Sequence, residues 1–357
     1  MTNDELTGDV SLLTASCPLP ITNYKEIVLA HGSGGKLSHQ LIDKMILPQF
    51  RNELLEPLHD GAIFSLNGER VAFSTDSFVV SPIFFPGGDI GKLAVHGTVN
   101  DLAMCGARPL YLSASFILEE GLPMEDFWRV LQSMHAAADD AGVKLVTGDT
   151  KVVDRGKADK IFINTSGIGI VPNEVNIHPA RATVGDKIII SGPIAVHGIA
   201  IMSVREGLEF ETEIASDTAP LHKLVDALIA AGIDIHVLRD PTRGGVTSAL
   251  SEIAQTANVG MLLNESSIPI SEDVKGACEI LGLDPLYVAN EGKLLAIVAN
   301  EDVDAALSAL RSMSLGENAA VIGEVVDDHP GFVMMKTRVG GTRVVDMLSG
   351  EQLPRIC

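Results

Sequence analysis

Two blocks of alternating strand-like and helical segments, parted by a stretch broken by proline and glycine, constrain this chain more than any other feature. In the first block the strand-like runs are Val71–Thr75, Leu110–Ile117 and Ile161–Val171. Between them lie Asp89–Cys105 and Met124–Ala141. The first carries Ile90, Leu93, Ala94, Val99, Leu102 and Ala103, and the second carries Phe127, Val130, Leu131 and Met134 at three- and four-residue spacing, a helical period. Gly106 and Gly142 are plausible stops. Pro172, Pro179 and Gly185 interrupt the pattern and place a boundary near residue 180. The second block reads as strands at Lys187–Ser191, Leu294–Ala299 and Ala320–Val326, with helices over 220–232, 245–257 and Asp302–Met313. At 357 residues the chain suits two domains sharing or adjoining one core. The expected organisation is a flexible leader over 1–20, an N-terminal domain over 21–180, a C-terminal domain over 181–342 and a tail over 343–357. Pro354 cannot extend a helix and restricts the residue before it, so the tail is expected to be extended and mobile.

Composition removes several classes. The 26 Lys+Arg against 47 Asp+Glu give a net charge of −21, which disfavours nucleic-acid phosphates as a partner. Apolar residues at 46% and charged residues at 20% exclude intrinsic disorder. The four cysteines, at 17, 105, 278 and 357, form no CxxC and encode neither a zinc ribbon nor a disulfide scaffold. No run approaches the roughly 18 apolar residues that span a bilayer, and the acidic start MTNDELTGDV lacks the features of a secretion signal. The expectation is a cytoplasmic protein with reduced thiols and no membrane partner.

Five features could carry chemistry. His31-Gly32-Ser33-Gly34-Gly35-Lys36 is a glycine cluster whose backbone N–H groups could converge on phosphate. It is not a Walker A loop, because Ala30 and Leu37 break that pattern, and it reads either as a phosphate loop or as a flexible turn. A set of acidic residues, Asp60, Asp76, Asp101 and Asp149, falls at loop starts, strand ends and, for Asp101, inside an apolar helix. Converging carboxylates call for a cation such as Mg²⁺, whereas each Asp alone also serves as a turn or a cap. Arg239-Asp240-Pro241-Thr242-Arg243-Gly244-Gly245 joins two arginines to a helix start, a setting for phosphate or carboxylate and equally for a capped helix. Ala289-Asn290-Glu291-Gly292-Lys293 is a polar turn before a buried strand. Cys357 is the terminal residue, and a terminus of low burial would let its thiolate form without the usual penalty. Cys17, Cys105 and Cys278 read as core or incidental positions.

Taken in order, His-Gly-Ser-Gly-Gly-Lys, Thr-Asp-Ser, Gly-Gly-Asp-Ile-Gly-Lys-Leu-Ala-Val-His-Gly-Thr-Val-Asn-Asp-Leu-Ala, Gly-Asp-Thr-Lys-Val-Val and Arg-Asp-Pro-Thr-Arg-Gly-Gly resemble the ATP-binding superfamily of aminoimidazole ribonucleotide synthetase. Within it, the closing Pro354-Arg355-Ile356-Cys357 resembles the hydrogenase-maturation carbamoyl dehydratases. The resemblance covers roughly residues 25–357. It implies an α+β, two-domain fold, with an N-terminal α/β domain forming a dimeric β-barrel core and a C-terminal α+β domain. It also implies ATP near a homodimer interface, Mg²⁺, a HypF carbamoyltransferase as donor of a carbamoyl group to Cys357, and a HypC–HypD complex as acceptor of cyanide. On the matching positions, Gly32, Ser33, Gly34, Gly35, Lys36, Asp76, Asn100, Asp101, Asp149 and Asp240 would bind ATP. Asp60, Asp76, Asp101 and Asp149 would hold the metal, and Lys151 and Glu291 would remove protons while Cys357 carries the substrate.

Two other functions fit the same motifs. One is a small-molecule synthetase or kinase of the superfamily, similar to selenophosphate synthetase, although Cys17 lacks the glycine-rich, Lys-bearing surroundings of that enzyme's thiol. The other is a non-catalytic scaffold that binds ATP structurally and offers its tail to partners.

Overall fold

The computed structural model describes residues 21, 23–208, 213–348, 350 and 355–357. The expected leader with Cys17, and tail residues 351–354, lie outside the described residues. In the first block α1 (Lys36–Leu41) and α2 (Leu47–Phe50) precede β1 (Ala62–Leu66) and β2 (Glu69–Phe78). The short pair β3 (Phe84–Phe85) and β4 (Gly88–Asp89) leads into α3 (Ile90–Met104), followed by β5 (Arg108–Glu119), α4 (Met124–Ala141), β6 (Lys144–Val153) and β7 (Ile161–Ile170). Five of these strands form one open sheet in the order β1-β2-β7-β5-β6, antiparallel except where α4 crosses over between the parallel β5 and β6. Within one chain this sheet does not close, so the barrel implied by the resemblance is absent at this level.

Local sequence explains the helix ends. The Asp89 side chain accepts from the N–H groups of Gly91 and Lys92, at 2.7 and 3.2 Å, and starts α3. Gly142, with φ 69°, ends α4 in the left-handed region that suits glycine. The parallel β5–β6 pair depends on Gly148, because a Cβ there would stand 2.1 Å from the Ala114 carbonyl oxygen.

In the second block β8 (Lys187–Ile190), α5 (Val196–Glu206), α6 (His222–Ala230), β9 (Ile235–Arg239), α7 (Gly245–Ala257) and β10 (Gly260–Asn264) come first. After them come α8 (Glu272–Leu281), β11 (Leu295–Val298), α9 (Val303–Arg311), β12 (Ala320–Val326), β13 (Val333–Lys336) and β14 (Thr342–Val345). The seven strands order as β14-β13-β10-β12-β8-β11-β9. Helices α5, α7 and α8 share a core with one face of this sheet, and α6 and α9 with the other.

Helix α3 binds the two blocks together. Ile90, Leu93 and Val99 pack with Phe78, Val130 and Met134, while Leu102, Ala103 and Met104 pack with Leu224 and Leu228 of α6 and Leu310 of α9. Each fully buried aliphatic side chain contributes about 1.5–3 kcal/mol. A helix buried all round carries no clean polar stripe, so a carboxylate on it needs a specific reason.

Two expectations are corrected. Asp76 and Asp149 do not follow strand ends: they lie inside β2 and β6, because both strands run on in register with their neighbours. The tail is not free over its described residues. β14 pairs with β13 through Val344 and Val345, Met347 is buried, and Ile356 and Cys357 are only 3% and 7% exposed. Among the described residues no helix is long and apolar enough to cross a membrane.

Candidate active site

Three elements bring carboxylates to one point. Asp60 precedes β1, Asp101 sits in α3 and Asp240 follows β9, and one oxygen from each lies within 4.8 Å of the others. Ser74 of β2 donates to Asp101 Oδ2 at 2.6 Å. Burial, and then the charges of Asp240, Asp76 and Asp60, push the Asp101 carboxyl well above the usual range. Burial and then Asp60 push Asp240 up to about 8, against the pull of Arg239. Arg239 bonds both Asp60 and Glu252, and Glu252 also meets His39 at 2.9 Å, raising that imidazole's pKa. Among the described residues Asp60 Oδ2 is buried without a hydrogen-bond partner. A group of hard oxygen donors with one orphaned atom and mutual repulsion fits a divalent cation such as Mg²⁺. Asp60, Asp101 and Asp240 are the residues that would hold it.

The arginine loop and the glycine cluster meet beside these carboxylates. A cavity of about 710 Å³ is lined by Gly32, Gly34, Asp60, Thr75, Asp240 and Arg243, among others. Gly34, at φ +75°, lies so close to Arg243 that a Cβ would stand 2.7 Å from its carbonyl oxygen. Ser248 Oγ donates to the Gly34 carbonyl at 2.8 Å, and the Gly34 N–H donates to Ser38 Oγ at 3.0 Å. Ser33, Gly35 and Lys36 do not line the cavity; Lys36 Nζ lies 2.5 Å from Asp346, and its backbone N–H is bonded to the Leu348 carbonyl.

Cys357 lies at the far side of Arg243. Its thiol lies within electrostatic reach of Glu291, a buried carboxyl whose Oε1 has no hydrogen-bond partner among the described residues. The sequence-based expectation of an easily formed thiolate is reversed. Burial first and then the Glu291 charge push the thiol well above its ordinary value, although Arg243 opposes them. Glu291 is itself pushed well above the usual range, by burial and then by Asp240, Asp76 and Asp217. Arg243, whose own pKa is raised chiefly by Cys357 and also by Asp76, Glu291 and Asp101, links the acidic cluster to the chain end. The end docks like a short strand: Val79 N–H donates to the Cys357 carbonyl and Ser81 N–H to the Arg355 carbonyl, each at 3.2 Å.

The remaining sequence-named residues fall elsewhere. Asp76 acts on the cluster through its charge, with its own pKa raised by burial. Asn100 is buried, and its amide is bonded to the backbone of Ala219, Leu221 and Glu291. Asp149 and Lys151 pair with each other at 2.8 Å on the exposed edge strand β6. Within one chain the carboxylates brought together are Asp60, Asp101 and Asp240, whereas Asp149 lies on β6 at the sheet edge, away from α3. Sequence reasoning missed His39 and Glu252, which brace Arg239, and Asp217, which accepts the Glu291 backbone N–H and faces Lys293 of the polar turn. No spacing or motif signals these three.

The chain matches AIR synthase related protein, N-terminal domain, over residues 58–171 and AIR synthase related protein, C-terminal domain, over residues 183–336. It is 56% identical over 341 residues to the carbamoyl dehydratase HypE of Cupriavidus necator, covering 95% of this chain and 97% of that one. Among solved structures, a HypE–HypF complex superposes with TM-score 0.82 at 48% identity, covering 86% of this chain and 99% of the other. HypE in complex with ATP superposes with TM-score 0.79 at 51% identity, covering 93% and 100%. Two-domain architecture, site and kinship agree: the chain belongs to the AIR synthase related proteins and, among them, to the HypE carbamoyl dehydratase family.

Proposed function

We propose that this protein dehydrates a carbamoyl group carried on the sulfur of Cys357, at the expense of ATP, and so supplies the cyanide ligand of the iron in [NiFe] hydrogenases. The observation that carries this reading is the buried Cys357 thiol beside Glu291, with Arg243 reaching from it to a nucleotide-sized cavity lined by Asp60 and Asp240. The names of the relatives support it, as do solved HypE structures with ATP and with HypF.

The chemistry accounts for the parts. An amide oxygen leaves poorly, so the γ-phosphoryl group of ATP is transferred to it and phosphate then departs. The thiocarboxamide R–S–C(O)NH₂ and ATP become R–S–C≡N, ADP and phosphate, and both N–H protons must be removed on the way. Glu291, whose carboxyl burial pushes well above the usual range, is in its ionised form a base strong enough to accept one of them. The backbone at Gly32 and Gly34 and the guanidinium of Arg243 orient the phosphates. Mg²⁺ bound by Asp60, Asp101 and Asp240 would neutralise phosphate charge. Cys357 carries the substrate and does not attack ATP.

The protein acts as a homodimer in this reading. Edge strand β6 is exposed on almost every residue, including Leu145, Val146 and Val152, and a second copy covering it completes the β-barrel core. That copy also gives Asp149 and Lys151 a site to serve, Lys151 as the second proton acceptor, coupled through Glu291. A HypF carbamoyltransferase loads Cys357, and a HypC–HypD complex receives the cyanide, in the cytoplasm. The domain limits of 21–180 and 181–342 remain the working division.

The test is intact-mass analysis with HypF, carbamoyl phosphate and ATP. The wild-type protein gains one carbamoyl group and then loses one water on adding ATP. Cys357→Ala gains neither change, and a Cys357→Ala protein that still yields bound cyanide would overturn the carrier role. Removal of residues 353–357 separates the small-molecule kinase reading, whose activity would survive the truncation.

A further inference from the structure

His197 lies in the first turn of α5, and its side chain is wholly buried. Its Nε2 lies 2.8 Å from the Ile356 carbonyl oxygen, an atom that only accepts, so Nε2 bears the proton. Nδ1 is then the acceptor and takes the Ser216 O–H at 2.8 Å. Ser216 Oγ in turn accepts from the Thr218 N–H at 3.2 Å and from the Thr218 hydroxyl at 2.8 Å. One tautomer satisfies this whole run of donors and acceptors. Phe85 meets the imidazole edge-on, with centroids 5.6 Å apart, and restrains its plane.

The loop that supports His197 also supports the proposed acid–base group. Asp217, between Ser216 and Thr218, accepts the Glu291 backbone N–H through Oδ1 at 3.1 Å and faces Lys293 Nζ through Oδ2 at 3.1 Å. Ser216 N–H is anchored on the Pro86 carbonyl at 2.7 Å. Residues 216–218 thus hold Glu291 on one side and, through His197, the residue before Cys357 on the other.

We propose that His197 is a positioning residue for dehydration: by fixing the Ile356 carbonyl it holds the loaded sulfur of Cys357 in register with Glu291. The inference rests on the carrier role of Cys357 and the proton-transfer role of Glu291. Loading does not draw on it, because a docked thiol only 7% exposed is closed to another enzyme and must be loaded away from His197.

The experiment uses the full chain with Cys17→Ser, so that the leader thiol does not report, and adds His197→Ala, His197→Gln or Ser216→Ala. Three quantities are read: the reaction rate of Cys357 with a small disulfide reagent, carbamoyl loading by HypF and carbamoyl phosphate, and single-turnover water loss on adding ATP. In His197→Ala, loading stays within about twofold, thiol reactivity rises, and water loss slows about 10–100-fold, the scale of a small misplacement at a reacting group. His197→Gln, which offers an amide N–H to the same carbonyl, recovers most of the rate, whereas a loss of mere packing would leave it slow. Ser216→Ala, which keeps the imidazole, slows water loss in the same direction and carries the test if His197→Ala does not fold. Parent-like water loss in His197→Ala, or a slowing that Gln does not relieve, overturns the proposal. If the parent itself never loses water, the dehydratase reading has failed. The thiol reactivity then still decides whether His197 holds the chain end, and an unchanged rate in His197→Ala rejects it.

Discussion

Replacing Asp240 with Asn tests the acidic cluster as a cation site, and the geometry fixes the sign of the effect. In the cation-free protein, burial and the neighbouring Asp60 raise the Asp240 carboxyl from an ordinary 3.8 to about 8. A carboxyl raised in this way keeps, in the native state, a proton that the unfolded chain has already released. Its penalty is absent below pH 4 and grows as pH rises towards 8, so native stability falls over that window. At 1.36 kcal/mol per unit, the gap of roughly four units sets an upper bound of about 5–6 kcal/mol. A cation entering the cluster displaces that proton. Mg²⁺ affinity should therefore climb about 50-fold from pH 6 to pH 8, following the ionised fraction of a group that titrates near 8. Urea unfolding at pH 5 and pH 8.5, with chelator or with Mg²⁺, together with calorimetric titration of Mg²⁺, measures both effects. With chelator, Asp240→Asn should gain on the wild type as pH rises, by up to about 4 kcal/mol between pH 5 and pH 8.5. With Mg²⁺ the wild type should recover and the variant should not. A wild-type stability that is flat from pH 5 to pH 8.5 in chelator, or equal Mg²⁺ affinity in both proteins, would refute the reasoning.

Two further substitutions probe the rest of the site. Ile356→Ala removes a side chain only 3% exposed, at a cost of about 2–5 kcal/mol where a cavity remains, so Cys357 should react with a thiol reagent at least about tenfold faster; an unchanged rate would show that this side chain does not anchor the chain end. Gly34→Ala sets a Cβ 2.7 Å from the Arg243 carbonyl oxygen at φ +75°, and should lower ATP affinity about tenfold or more in equilibrium dialysis, while Gly276→Ala, in open space on α8, should leave binding intact and add up to about 1 kcal/mol of stability.

The parts of the fold legible in the sequence are those whose periodicity was enforced by a single burial partner. Helix α4 turns one apolar face to α3 and the first sheet, and Met124–Ala141 is its observed extent. Strand β12 is likewise Ala320–Val326 as read. Strand β6 escaped because both of its faces are exposed in one chain, so no alternation marks it. In the site, Asp101 was conspicuous because a carboxylate in a helix buried all round has no capping role. The partnership with Asp240 was not, since it depends on the end of β9 meeting α3 across the boundary between the two blocks. Cys357 was singled out by position and misjudged in environment. A terminal residue carries no downstream pattern, and the groove that buries it is built from Val79, Ser81, His197 and Arg243, which lie in three segments far apart in the chain.

The seat of the chain end has a consequence for the order of events. Its bonds reach the main-chain oxygens of Arg355, Ile356 and Cys357, and a salt bridge joins the Arg355 side chain to Asp159. Apart from the thiol's own contact with Glu291, none of these grips depends on what the sulfur bears. Free thiol, carbamoyl ester and thiocyanate therefore present the same handle to the same groove. A dock blind to its cargo cannot by itself give the sequence of load, convert and deliver a direction. That direction has to come from steps that consume something, phosphoryl transfer above all, and from partners that compete for the end of the chain whenever it is outside.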